Sequence, residues 1–413
     1  MTTMQSRNVE SRTTTGRAGL MLGLATLGFA LNFWAWALLS PLAITFTKNL
    51  GLSSFQQSLL VAVPVVVGSV GRIPVGALTD RFGGRLMFPL VSLVTVIPVL
   101  YLGLWGHASL AAILVGGFFL GIAGTTFAVG VPFVNAWFPP ERRGFAVGVF
   151  GAGMGGTAIS ALTTVKLVNA HAMHTPFVIT AVALTAYAVV AAVVLRDAPG
   201  RVVPSEALTA RMVRALRLTI TWQAAALYAI GFGGYVAFSV YLPTYLKNAY
   251  GLTPSDASNK MAGFVVLAVV MRPVGGWLSD RIRAGSVLAV AFVVVVVDAI
   301  IQSSTPGLNP VGTIVFLTMA AALGTASGAT FALVAQRAPA AQVGAVTGIV
   351  GAAGGLGGFV PPLVMGSIFG HSGDYGTGLL LLAGMAALVL LLALSIRRAS
   401  EDPALPDAAA RAS

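Results

Sequence analysis

Twelve apolar runs, each long enough to cross a bilayer as a helix, follow one another from residue 19 to residue 396. A hydrocarbon core of about 30 Å asks for roughly 20 helical residues. The runs cover 19–46, 57–79, 86–105, 109–136, 144–167, 176–195, 218–246, 260–280, 286–303, 311–335, 344–369 and 376–396. Charged residues are only 9% of the chain, against about 25% in a soluble domain. The mean hydropathy of +0.89 agrees. The expected fold class is an all-α integral membrane protein with twelve transmembrane helices, embedded in the lipid bilayer.

The net charge of +12 could point to nucleic acid, but its distribution points to a membrane. Arginines and lysines sit in short clusters between apolar runs, as the positive-inside rule requires. The N-terminal stretch, the even-to-odd loops and the C-terminal stretch hold eighteen of them, and the opposite loops hold four. Both termini are therefore expected in the cytoplasm, with the chain in the cell membrane. There is no cysteine, so thiol catalysis and thiolate metal sites are excluded. Neither a His/Cys/carboxylate cluster nor a phosphate-binding loop occurs, so no cofactor, metal, nucleotide or enzymatic activity is expected.

The chain repeats itself. Gly71-Arg72-Ile73-Pro74-Val75-Gly76-Ala77-Leu78-Thr79-Asp80-Arg81 returns 200 residues later as Met271-Arg272-Pro273-Val274-Gly275-Gly276-Trp277-Leu278-Ser279-Asp280-Arg281. The same offset relates Gly51 to Gly251, Gly124 to Gly324, Pro139 to Pro339, and Gly151 and Gly155 to Gly351 and Gly355. The expected organisation is a tail (1–17), a six-helix half (18–195), a basic linker (196–217), a second six-helix half (218–397) and a tail (398–413). Parallel halves of this kind are a transporter architecture, with the substrate site near the midplane between them. The last part of the linker, with Arg211, Arg214 and Arg217, reads as a basic amphipathic helix on the membrane surface.

Each copy of the motif has two parts. Asp80-Arg81 and Asp280-Arg281 lie where the helix leaves the membrane, and Gly83 and Gly84 permit a turn with positive φ there. Gly76 and Gly276 lie just inside. Arg72 and Arg272 lie eight residues deeper, about 12 Å at 1.5 Å per residue. An arginine at a helix centre costs roughly 2.5–3.5 kcal/mol on insertion scales. Neither has an acid nearby in its own run, and Asp298 is the one acid clearly inside any run. Facing a cavity between the halves and meeting an anion would resolve both costs, since the guanidinium fork suits a planar oxyanion. Pairing with backbone carbonyls is the alternative. Glycines crowd the fifth and eleventh runs at spacings of three and four. Such faces allow close packing; they also allow helices to slide and backbone amides to reach a small substrate. Asn32, Phe33, Trp34, Trp36, Phe127, Tyr228, Phe232 and Tyr235 are aromatic or polar candidates for lining the same space.

These residues resemble the nitrate/nitrite porters of the major facilitator superfamily over nearly all of 18–397. The likeness rests on Arg72 and Arg272, on the stretches 148–157 (GVFGAGMGGT) and 351–359 (GAAGGLGGF), and on 132–143 (PFVNAWFPPERR). The resemblance implies that the two arginines clamp a planar anion, nitrate or nitrite, while Phe127, Tyr228 and Phe232 close the site. It implies rocker-switch alternating access, with Gly76, Asp80, Arg81, Gly276, Asp280, Arg281, Gly151, Gly155, Gly351 and Gly355 in the moving parts. A monomer is expected. One departure stands out: the family's first glycine stretch usually carries an asparagine, and Met154 is found at about that place. The alternatives are a porter of another small anion, such as a carboxylate or cyanate, and a drug or sugar exporter of the same fold.

Overall fold

The computed structural model describes residues 2–199, 208–339 and 342–399, and all regular structure among them is helical. Twelve helices are long and apolar enough to span a membrane. They are α1 (Gly16–Leu50), α2 (Ser54–Phe82), α3 (Gly84–Leu104), α4 (Leu110–Trp137), α5 (Ala146–Ala170), α6 (Thr175–Val194), α7 (Thr219–Tyr250), α8 (Pro254–Arg281), α9 (Ala284–Ser303), α10 (Leu308–Arg337), α11 (Ala345–Ser372) and α12 (Gly376–Arg398). Each expected run is found. Several helices extend past their apolar run because polar caps start or stop them. Ser53 and Gln56 form a reciprocal capping box at the start of α2, and Thr253 caps α8 by accepting from the Asp256 amide. The repeated glycines Gly51 and Gly251 end α1 and α7 with left-handed φ of 64° and 67°.

A linker helix, Leu208–Leu216, lies between the halves. Residues 200–207 of the expected linker and 400–413 of the expected C-terminal tail, Arg201 and Arg411 among them, lie outside the described residues. In the expected N-terminal tail, helix begins at Thr2 and runs without a break into α1.

The two halves meet through α2 on α11 and α5 on α8. Away from the linker they are closed on each other. Ser40 Oγ donates to the Val240 carbonyl at 2.6 Å, and a side chain on Gly366 of α11 would run into Ser58 of α2. Toward the linker the contact opens into a cavity of about 150 Å³. Gly83, with φ of 84°, makes the turn after α2, as expected. Gly84 has no positive φ; it is small because Phe133 packs where its side chain would be.

Candidate functional site

Four helices of the first half change course along their length. α2 breaks at Gly71, between Ser54–Val70 and Arg72–Phe82. α4 tightens into a 3₁₀ turn over Gly121–Thr125 and the fifth-span helix over Ala152–Gly155. α1 turns between Trp36 and Leu39. Such breaks free backbone groups at membrane depth, which is tolerated where protein or a cavity receives them.

Arg72 is the first residue after the α2 break and is 7% exposed. Its Nη1 donates to the Gly351 carbonyl of the other half at 2.6 Å, and its Nε lies 3.4 Å from the Gly124 carbonyl. Arg272, 8% exposed, stands in the unbroken α8. Its Nη2 donates to the Tyr228 hydroxyl at 2.6 Å, and its Nη1 reaches Met154 Sδ of the other half. The repeat is visible in three dimensions. A Cβ built on Gly351 would lie 3.9 Å from Arg72 Nη1, and one on Gly151 would lie 3.9 Å from Arg272 Nε. Each arginine therefore faces the glycine stretch of the opposite half at matching positions.

Both cations share two rings, one from each half. Arg72 Cζ lies 5.2 Å from the centre of Phe127 and 5.6 Å from that of Phe232. Arg272 Cζ lies 5.8 Å and 5.3 Å from the same two rings. Tyr228 stacks on Phe232 with centroids 4.7 Å apart and planes 4° from parallel. Cation–π contacts and neutral acceptors stabilise a guanidinium, but they leave its charge in place. No described acid forms an ion pair with either arginine. Two positive charges thus lie close together, desolvated and without a counter-ion, an arrangement that an anion between the forks would neutralise.

The structure divides the expected site residues. Arg72, Arg272, Phe127, Tyr228 and Phe232 come together. The cavity reaches Arg72, Phe127 and Gly351 and runs out past Gly76 to Asp80. Arg272 is not among the residues lining this cavity; the rings of Phe127, Phe232 and Phe331 pack over it. Arg72 pairs with backbone carbonyls, and Arg272, among the described residues, with side chains. The other aromatic and polar candidates of α1 pack within the first half: Trp36 Nε1 donates to the Pro64 carbonyl, and Asn32 bonds Ser92 and Thr95. Tyr235 stacks on Phe232 and bonds Thr157.

The glycine question resolves position by position. Gly156 and Gly357 have backbone where a side chain would go, Gly354 has the rings of Tyr228 and Phe232, and Gly355 has the Ser69 side chain, so all four serve close approach. Gly148, Gly151, Gly155, Gly276 and Gly348 have room. At the membrane exit, Asp80 accepts from Arg211 of the linker helix at 3.0 Å. Arg81 and Arg281 lie over Phe82 and Trp277. Asp280 is exposed and forms no ion pair among the described residues.

Phe331 escapes a reading of the sequence at the 200-residue offset. It packs edge-on to Tyr228 at 4.7 Å, lies 6.1 Å from Phe127 and 5.8 Å from Arg272. The signal was present in another register: Gly328-Ala329-Thr330-Phe331-Ala332 echoes Gly124-Thr125-Thr126-Phe127-Ala128 at an offset of 204, one helical turn away.

Twelve spanning helices that bring two buried guanidiniums together beside helix breaks are the architecture of a membrane transporter. The sequence matches the family model of the Major Facilitator Superfamily over residues 25–362, and the chain belongs to that superfamily. Within it the chain groups with the nitrate/nitrite porters. It is 50% identical over 367 residues to the probable nitrate/nitrite transporter NarK2 of Mycobacterium tuberculosis, covering 88% of this chain and 93% of that one. It is 35% identical to the nitrite extrusion protein of Bacillus subtilis (91% and 94% covered) and 33% identical to the probable nitrate transporter NarT of Staphylococcus carnosus (93% and 98% covered). In fold it matches an inward-facing, occupied bacterial homologue of the lysosomal transporter Spinster, with a TM-score of 0.70 at 17% identity over 93% of this chain and 97% of that one.

Proposed function

We propose that this chain carries nitrate and nitrite across the plasma membrane by alternating access, as a nitrate/nitrite exchanger. The observation that carries the reading is the convergence of Arg72 and Arg272 from opposite halves onto the shared rings of Phe127 and Phe232. An anion gripped by both forks draws the halves together; its departure lets them part. The halves, 18–195 and 218–397, rock about this point with the linker 196–217 joining them. Close approach at Gly355 and Gly366 and open space at Gly151 and Gly155 support a structure captured on one side of that motion.

Exchange needs no titrating group in the path, and the described site agrees. Among the described residues, the one acid lining the cavity is Asp80, at its outer end and paired to Arg211. Asp298 does not line it. The clustering of arginines on the linker side supports cytoplasmic termini, so the cavity would open to the cytoplasm. One chain contains the complete clamp, which supports a monomer as the working unit.

The test is counterflow of labelled nitrite against nitrate in proteoliposomes, with and without a pH gradient. Exchange that is indifferent to the gradient is expected. Uptake that requires the gradient would replace exchange with proton coupling, and activity surviving Arg72→Ala with Arg272→Ala would remove the clamp.

A further inference from the structure

The cavity that begins at Arg72 has a second cationic end. Arg211, Met212, Asn135 and Thr347 line its outer part beside Asp80. Along α2, Arg72 and Asp80 are eight residues apart, about 12 Å at 1.5 Å per residue. Arg211 belongs to the linker helix, which packs against α11 of the second half. Its guanidinium is half-buried, at 22% side-chain exposure, and reaches over to Asp80 of the first half.

The bond between them is single. Arg211 Nη1 donates to Asp80 Oδ2 at 3.0 Å, and no described residue accepts from Arg211 Nη2 or Nε. A guanidinium offers five N–H donors, and this one commits a single edge to the carboxylate. Arg211 screens the Asp80 carboxylate at a point where an anion has to pass. It keeps unused donors on a cavity wall.

We propose that Arg211 is a residue of the substrate path, an outer anion station that receives nitrate or nitrite leaving Arg72 and captures it on entry from the linker side. This rests on the anion-porter reading above. The anion exchanges one guanidinium fork for another farther out on the same cavity wall, past a carboxylate that Arg211 screens. Arg211 remains tied to Asp80 through Nη1 and offers its remaining N–H groups to the anion.

The absence of cysteine in the chain permits a charge test at this position. Arg211→Cys is expected to raise the apparent KM for nitrite, presented on the linker side, about tenfold with turnover little changed, because the lost term is attraction of an anion to a half-screened cation. Labelling with 2-aminoethyl methanethiosulfonate restores a positive charge and should restore the low KM. Methyl methanethiosulfonate, neutral, should not. Arg211→Lys provides a second variant that keeps the charge and should keep most of the affinity. Rescue by the neutral reagent would overturn the proposal in favour of packing. A loss confined to turnover, with KM unchanged, would overturn it in favour of a latch. Wild-type liposomes that move neither nitrate nor nitrite would overturn the porter reading and this inference with it, whereas normal wild-type transport with an unaltered Arg211→Cys overturns this inference alone.

Discussion

The two copies of one motif place their arginines at the same depth and then hold them by different means. In the first half α2 breaks at Gly71, and Arg72 reaches backbone carbonyls of Gly351 and Gly124. In the second, α8 runs unbroken through Met271, and Arg272 reaches the side chains of Tyr228 and Met154. The contrast extends along the site. Where the first half has Gly71, Gly121 and Gly153 at or beside its breaks, the second has Met271, Ala321 and Ala353 inside continuous helix. Glycine inside a helix is less favourable than alanine by about 0.8–1.0 kcal/mol, which fits the breaks at these positions in the first half and the continuous helix at their counterparts. The membrane exits differ too: Asp80 is held by the linker helix, while Asp280 is exposed. A pseudo-symmetric pair can thus hold two matching charges by different local structure.

The largest effect expected from probing this comparison falls on the arginines themselves. Lysine keeps the charge but loses the fork, and hydrogen bonds to charged groups contribute about 1.5–3 kcal/mol each. Arg72→Lys and Arg272→Lys should each lower nitrate uptake by about 100-fold on that basis. Uptake rates in liposomes of matched protein content decide it; near-normal transport by either variant would show that charge alone suffices in that half.

Next comes the glycine pair 155 and 355. A side chain on Gly355 would enter Ser69 of α2, whereas Gly155 has open space around it. Overpacking costs about 1–3 kcal/mol, so Gly355→Ala should slow exchange by about tenfold or more and Gly155→Ala by no more than about twofold. Equal effects would mean that the two positions become equally crowded during the cycle, which would make the halves more alike than this structure suggests.

A smaller loss is expected at Tyr228→Phe, which removes the hydroxyl that accepts from Arg272 and keeps the ring on Phe232. An unpaired buried donor costs about 1–3 kcal/mol, so nitrite KM should rise by roughly fivefold to tenfold, with the substrate itself taking up part of the lost bonding. No single side-chain deletion can do the same to Arg72, because its acceptors are backbone. Met154→Leu should have the smallest effect, about twofold or less in KM, since a thioether is a weak acceptor. A shift in the nitrate-to-nitrite preference measured by competition would instead give Met154 a direct part in substrate choice.

Much of the architecture was legible in the residues. Runs of about 20 apolar residues dictate spanning helices in any context, because lipid offers backbone groups no other partner. The repeat at 200 residues placed Arg72 and Arg272 at one depth, and the ring positions Phe127, Tyr228 and Phe232 did assemble around them. The glycine stretches could be seen, but their tasks could not. Whether Gly155 or Gly355 is crowded depends on how closely α5 and α11 approach their neighbours, and helix separation is a property of pairs. Phe331 was hidden for a similar reason: a shift of one turn along α10 brings it to the site, and only the packing of α10 against α7 and α4 sets that register.

The sequence by itself therefore determined the two-fold repeat, and with it the number of spans and the two charges inside them, which follow from transfer energies of single residues into lipid. The tertiary structure alone decided that Arg72 is held by carbonyls and lines a cavity while Arg272 is held by Tyr228 and Met154 beneath the rings. That difference comes from where a helix can break and how near its neighbour stands, and neither is written in one helix.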